Sequence, residues 1–173
     1  MLLIVGHGPS VLCGLGGLID QQTVVRLKHG KTKQQPSEHF GTRTDYICGR
    51  SCFYEQKGVP FWHLPDSSPW HDYYKKFNPK YWKPSHGLSA VFCAVDHMKP
   101  DRLALIGFDR VLYPHDDRSG KWNVLDKPPH PWSHDQRAER ECLYSLGIDI
   151  IDFSKVNIGE VSGLRPDPGS CAV

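Results

Sequence analysis

Short apolar runs broken by glycine, proline and charge set the pattern of this chain. Leu2–Val5 (LLIV), Thr23–Leu27 (TVVRL) and Arg102–Ile106 (RLALI) are too short for helices and rich in aliphatic or β-branched residues. Each reads as a buried strand. Residues 45–48 and 148–153 (IDIIDF) read as two more. Between them the period changes. In 87–98, Leu88, Val91, Phe92 and Val95 recur at helical spacing. A second helix starts at Ser133 as N-cap, with Gln136 three residues on as a capping box. Ala138, Cys142, Leu143 and Leu146 mark its buried stripe, and Gly147 suits the position after its end. Ser10 suits a helix N-cap. Because Gly14, Gly16 and Gly17 interrupt the next stretch of chain, only a short helical piece fits 18–22. Strands alternating with helices predict an α/β fold, a Rossmann-type α/β/α sandwich with a mostly parallel sheet. Ligands of such sheets sit beyond the carboxyl ends of the strands.

Three stretches lack either period. Residues 29–37 read as a polar loop. Residues 58–84 are crowded with proline and aromatic rings and predict an irregular insertion, because proline stops regular elements. From 109 to 132 the chain is charged, contains Gly120 and has four prolines from Pro114 to Pro131. A loop this long suits a mobile lid. The expected organisation is one domain over 1–153 and a poorly ordered tail over 154–173.

Composition narrows the class. A chain of 173 residues buries roughly 70% of its unfolded surface as one domain. With 39% hydrophobic and 23% charged residues it is too apolar for disorder. No run approaches the ~20 apolar residues of a membrane span. The opening MLLIVGHGPS has neither a basic leader nor a long enough apolar stretch for a signal peptide, so a cytoplasmic protein is expected. Six cysteines lack the density of a disulfide scaffold, and Cys48 and Cys52 have no second close pair to complete a zinc site. Cys93 and Cys142 fall on apolar helix faces as small core residues. Ten histidines form no metal-ligand spacing, and His115, Asp116 and Asp117 read as a polar loop, so no metal is expected. The net charge, 21 − 19 = +2, is unremarkable, but Arg26, Lys28, Lys31, Lys33, Arg43 and Arg50 stand against only Glu38 and Asp45 in 26–50. That local excess favours an anionic ligand.

Candidate chemistry gathers at predicted strand ends. Gly6-His7-Gly8-Pro9-Ser10 comes directly after a strand and can turn backbone N–H groups toward phosphate. The full dinucleotide fingerprint is absent, since Val11 holds the third glycine position. Lys83-Pro84-Ser85-His86-Gly87 opens an apolar helix and offers a second anion seat. His134, beside Asp135 and five residues before Glu139, lies near a helix start where a neutral imidazole can accept a proton. Tyr73, Tyr74, Lys75, Lys76, Phe77, Lys80, Tyr81, Trp82 and Lys83 interleave cations with rings, a pattern that binds single-stranded nucleic acid or sugar faces. Packed rings with solvated lysines are the first reading of it.

In order, these blocks resemble the sialyltransferases of glycosyltransferase families 29 and 42. The first turn, with Gly14-Leu15-Gly16-Gly17-Leu18-Ile19-Asp20 and Val24-Val25-Arg26-Leu27, is similar to the large sialyl motif, and Phe40-Gly41-Thr42-Arg43-Thr44 to the segment after it. Pro84-Ser85-His86-Gly87-Leu88, its helix and Gly107-Phe108-Asp109 resemble the small motif. Ser133-His134-Asp135 with Glu139 resembles the very short motif. The chain departs from the family at His7 and Lys28, where the family has asparagines, and at His86, where it has threonine.

The resemblance implies a GT-A-like fold and metal-independent, inverting transfer from a CMP-activated or other nucleotide sugar to a glycan or other hydroxyl, with no further cofactor. It implies His134 as general base with Glu139 in the catalytic pair. It implies His7, Gly8, Pro9, Ser10, Arg26, Lys28, Ser85, His86, Gly87 and Tyr113 around the nucleotide, and Lys83 and Trp82 toward the acceptor. The alternative is a nucleotide- or nucleic-acid-binding module that kept the scaffold and lost transfer.

Overall fold

A computed structural model describes residues 1–27, 36–49, 58–63, 68–80, 83–112 and 135–155. Its centre is a six-stranded parallel sheet. The strands are β1 (Leu2–Val5), β2 (Thr23–Leu27), β3 (Tyr46–Gly49), β4 (Phe61–His63), β5 (Arg102–Ile106) and β6 (Asp149–Asp152), in the order β4-β3-β2-β1-β5-β6. The helices are α1 (Gly16–Ile19), α2 (Ser37–Phe40), α3 (Pro69–Lys75), α4 (His86–Met98), α5 (Asp109–Leu112) and α6 (Gln136–Tyr144). Single 3₁₀ turns cover Pro9–Leu12 and Phe153–Lys155.

The continuous apolar runs of β1 and β5 reflect burial on both sides. Leu3, Val5, Val24, Ala104 and Ile106 pack with Val11, Ile19 and Phe40 on one face. Leu2, Ile4, Val25, Leu103 and Leu105 pack with Leu88, Phe92 and Cys142 on the other. The chain fills the sheet outward from β1 through β4, then returns to β1's other side for β5. Right-handed crossovers running in opposite directions put their helices on opposite faces. Hence α1 and α2 cover one face, and α3 to α6 the other. The order reverses between β1 and β5, which makes their carboxyl ends the switch point where α/β sheets hold ligands.

The structure corrects several expectations. Residues 58–84 are not wholly irregular, since they contain β4 and α3. Pro69 occupies the first helical position, where proline loses nothing, and Ser68 caps α3 by accepting from the Trp70 amide at 3.2 Å. Trp62 holds β4 by stacking between Tyr46 (4.5 Å) and His97 (5.1 Å). Asp109–Leu112 is a helical turn rather than the start of a loop. The last helix begins at Gln136 with Asp135, not Ser133, as its cap, because the Asp135 carboxylate takes the Ala138 amide at 3.1 Å. Ser10 is no N-cap either: it lies inside the 3₁₀ turn, which starts from Gly8. The short helix is Gly16–Ile19 instead of 18–22, and the strands expected at 45–48 and 148–153 shift by a residue or shorten. Gly147 does adopt a positive φ, two residues past the cap Ser145. The loop at 29–35 and the segments 113–132 and 156–173 lie outside the described residues.

Cys93 and Cys142 are core residues as expected, and Cys48 joins them. A hydrogen bond with Cys93, then burial, pushes the Cys48 thiol far above the ordinary range. Cys52 lies outside the described residues. No helix among the described residues is long and apolar enough to cross a membrane.

Candidate functional site at the sheet switch point

The turns after β1 and β5 interlock. Gly6 N–H donates to the Ile106 carbonyl at 2.7 Å and Gly8 N–H to the Gly107 carbonyl at 2.8 Å. Ser10 donates its amide to both Asp109 carboxylate oxygens at 3.1 Å and its hydroxyl to Oδ2 at 2.8 Å. The same hydroxyl accepts from Gly107 N–H at 3.0 Å. The approach is close enough that a Cβ on Gly8 would lie 2.2 Å from Asp109 Oδ2. Gly8 and Ser10, read from the sequence as phosphate contacts, thus have their donors engaged inside the protein. The anion beside this turn is Asp109.

Phe108 links the turns to α4. A Cβ on Gly87 would meet its ring at 2.9 Å, and one on Gly6 at 3.1 Å. At the start of α4, the Ser85 hydroxyl caps the helix by accepting from the Leu88 amide at 3.2 Å, keeping its own proton to donate. The Ser85 amide donates to Glu139 Oε1 at 2.6 Å, joining residues 54 apart in the chain. Glu139, in the first turn of α6, is 1% exposed. Its charge is felt around it. Burial, then Glu139, raises the Tyr74 hydroxyl well above its ordinary range, and the same two causes push the Cys142 thiol up to about 12. His86 and Gly87 form the first turn of a 13-residue helix whose N-terminus carries a partial positive charge.

Around β2 the motif residues act as braces. His7 Nε2 donates to the Leu27 carbonyl at 3.1 Å. Arg26 reaches along the sheet instead of into an open crevice: Nε donates to the Arg43 carbonyl (2.8 Å) and the Thr44 hydroxyl (2.9 Å), and Nη2 to the Phe40 carbonyl (2.8 Å). Burial lowers its pKa against the opposing pull of Asp20 and Asp45. Asp20 accepts from the Thr42 amide (2.7 Å) and hydroxyl (3.0 Å) and from the Arg43 amide (2.7 Å). Burial works to raise the Asp20 carboxyl, but the Arg43 and Thr42 amides, the Thr42 hydroxyl and the Arg26 charge together hold it below the usual carboxylate range.

A depressed folded-state pKa contributes stability that is complete above the unfolded value and lost as pH falls through the folded one. The Asp20 contribution is therefore expected at neutral pH and to fade below about pH 4. Unfolding temperatures measured from pH 2 to 6 should show Asp20→Asn less stable near neutrality and flatter on the acid side. Parallel curves for the two proteins would rule this out.

The rings of 73–77 are committed to packing. Tyr74 is fully buried and accepts from Asn78 Nδ2 at 3.2 Å. Tyr73 packs edge-on against Trp70 at 5.7 Å with its hydroxyl 2.9 Å from Ser145 Oγ, and Phe77 leans on Tyr73 at 5.6 Å. Trp70 stacks on Phe92 at 4.6 Å and donates to Asp96. Tyr74 has no face left for a base, which weakens the nucleic-acid alternative. Lys83 is exposed ahead of α4.

Of the residues singled out from sequence, the structure brings together Gly8 and Ser10 at the switch point and, through Phe108, Ser85, Gly87 and Glu139. His86 shares their helix turn. Pro9 lies in the 3₁₀ turn. Arg26 and His7 hold the neighbouring β2 end. Lys28, Trp82, Tyr113 and His134 lie outside the described residues. Two residues were missed as site members, Phe108 and Asp109. Their signal was the Gly-Phe-Asp at the end of β5, where ligands of such sheets gather. Among the described residues, no group of three His, Cys, Asp or Glu could hold a metal ion. No protein-family model matches this sequence, and no curated protein or solved structure matches it either.

Proposed function

We propose that the chain is a glycosyltransferase of sialyltransferase type, moving a sugar from a CMP-activated donor to an acceptor hydroxyl with inversion. The observation that supports this most is the 2.6 Å bond from the Ser85 amide to Glu139. It joins the blocks that resemble the small and very short motifs at the switch point, beside the block that resembles the large one. In this reading the donor phosphate sits at the start of α4. There the His86 and Gly87 amides, the Ser85 hydroxyl and the helix dipole stabilise the charge that grows as the nucleotide leaves. Glu139 is a positioning residue that fixes Ser85. His134 takes the acceptor proton, and the freed oxygen attacks the anomeric carbon from the face opposite the phosphate, through an oxocarbenium-like transition state. Lys83 and Trp82 face the acceptor, and Lys28 and Tyr113 supply further phosphate contacts.

Thermal unfolding with added nucleotides tests the reading. Cytidine monophosphate at 100 times its Kd should add about 2.7 kcal/mol of stability, and purine nucleotides much less. Glu139→Ala should weaken cytidine monophosphate binding, and Glu139→Gln, which still accepts from the Ser85 amide, should restore it. Equal stabilisation by every nucleotide, or by none, would sink the proposal.

A further inference from the structure

We infer that Cys48 and Cys93 form a redox pair, two facing thiols that close into a disulfide under peroxide and pin α4 to β3. This goes beyond the proposed transfer and holds whether or not the chain moves a sugar. Cys48 lies in β3 and Cys93 in α4, which packs on β3. Both side chains are 2% exposed and belong to one apolar cluster. Inside it the two sulfurs meet in a hydrogen bond. A disulfide needs sulfurs on neighbouring elements with their side chains directed at each other, and a hydrogen bond between the thiols meets both conditions. The contact singles the pair out from Cys142, whose thiol is raised by burial and Glu139 and not by another sulfur.

The bond also makes the two sulfurs unequal. The hydrogen bond to Cys93, burial and the Cys93 charge all raise the Cys48 thiol, so Cys48 keeps its proton. Cys93 accepts that hydrogen bond and is the sulfur that attacks. It attacks one oxygen of hydrogen peroxide, the O–O bond breaks, and a sulfenic acid and one water result. The Cys48 sulfur then attacks the sulfenic sulfur, and the S–S bond forms as the Cys48 proton leaves in a second water. Two thiols lose two electrons, peroxide gains them, and the products are one disulfide and two waters. Peroxide is close to water in size and enters when α4 lifts locally from the sheet, so the reaction in the folded protein is slow. The new bond fixes the helix that opens at Ser85.

Peptide mass mapping of the full chain after hydrogen peroxide, with free thiols alkylated under denaturing conditions, tests this. The Cys48 and Cys93 peptides should appear joined and two hydrogens lighter, with Cys142 alkylated, and dithiothreitol should restore both thiols. The joined form should unfold several degrees higher than the reduced one, since the cross-link restricts the unfolded chain. Variants separate the two roles. Cys48→Ser lacks the second sulfur and should accumulate sulfenic, then sulfinic acid at Cys93. Cys93→Ser should leave Cys48 unoxidised under the same exposure. Should either variant fold poorly, the mapping of the unmodified chain still decides the matter. Peroxide that leaves both thiols alkylated, or takes Cys93 to a sulfinic acid while Cys48 stays free, would overturn the inference. So would Cys48 joined to any other cysteine.

Discussion

Replacing His134 with alanine is expected to lower turnover by about 10²- to 10⁴-fold, the range a positioned general base supplies. That corresponds to about 3 to 5 kcal/mol of transition-state stabilisation. The effect should fall on kcat, with the affinity for cytidine monophosphate nearly unchanged, because the proposed phosphate seat draws on the backbone amides and the hydroxyl at Ser85–Gly87. Initial rates of nucleotide release from the donor, with and without acceptor, separate these quantities. A variant that transfers sugar as fast as the parent would remove His134 from the chemistry. The assignment draws on the sequence resemblance and on the place of His134 immediately before the Asp135 cap of α6, the helix that carries Glu139.

Gly41→Ala should have the largest effect on stability. Gly41 has φ 65° and ψ −175°, a combination that residues with a side chain adopt only at about 1–3 kcal/mol of strain. A Cβ there would also stand 2.3 Å from Asp20 Oδ1 and 2.7 Å from the Gly16 carbonyl. The carboxylate could swing away, but only by giving up the Thr42 and Arg43 amides it holds; the Gly16 carbonyl is backbone and cannot move alone. Strain and lost hydrogen bonds add to roughly 3 kcal/mol or more, which lowers the unfolding temperature of a chain this size by about 6–12 °C. Chemical denaturation measures the difference directly. A loss below about 1 kcal/mol would mean that the α1–α2 contact relaxes more freely than its geometry implies.

Gly41 and Asp20 also show how differently a motif residue reads in sequence and in space. Asp20 lies in the block that resembles the large sialyl motif and Gly41 in the block that resembles the segment after it, where the expected role is nucleotide contact. In the fold they join α1 to the α2–β3 connection, as Arg26 joins β2 to Phe40 and Arg43. Arg26 attracted notice because a cation near the carboxyl end of a strand suits an anion. Its partners are two carbonyls and a hydroxyl 14 to 18 residues away, and nothing local to Val-Val-Arg-Leu announces them.

The amino-acid sequence was enough to determine the alternation of strand and helix, the burial of β1 and β5 on both faces and the helix after Ser85. These come from local rules: apolar period, β-branching, capping hydroxyls and glycine. It missed β4 and α3, because proline at a first helical position and a three-residue strand braced by stacked rings both look like loop. Only the tertiary structure decided which donors stay available to a ligand. An amide in a turn carries no record of its acceptor, and the acceptors here, Asp109 for Ser10 and Glu139 for Ser85, arrive from 99 and 54 residues away. Hydrogen bonds of that reach exist only once the sheet has set its strand order, since the crossover from β4 to β5 is what lays the two glycine turns side by side.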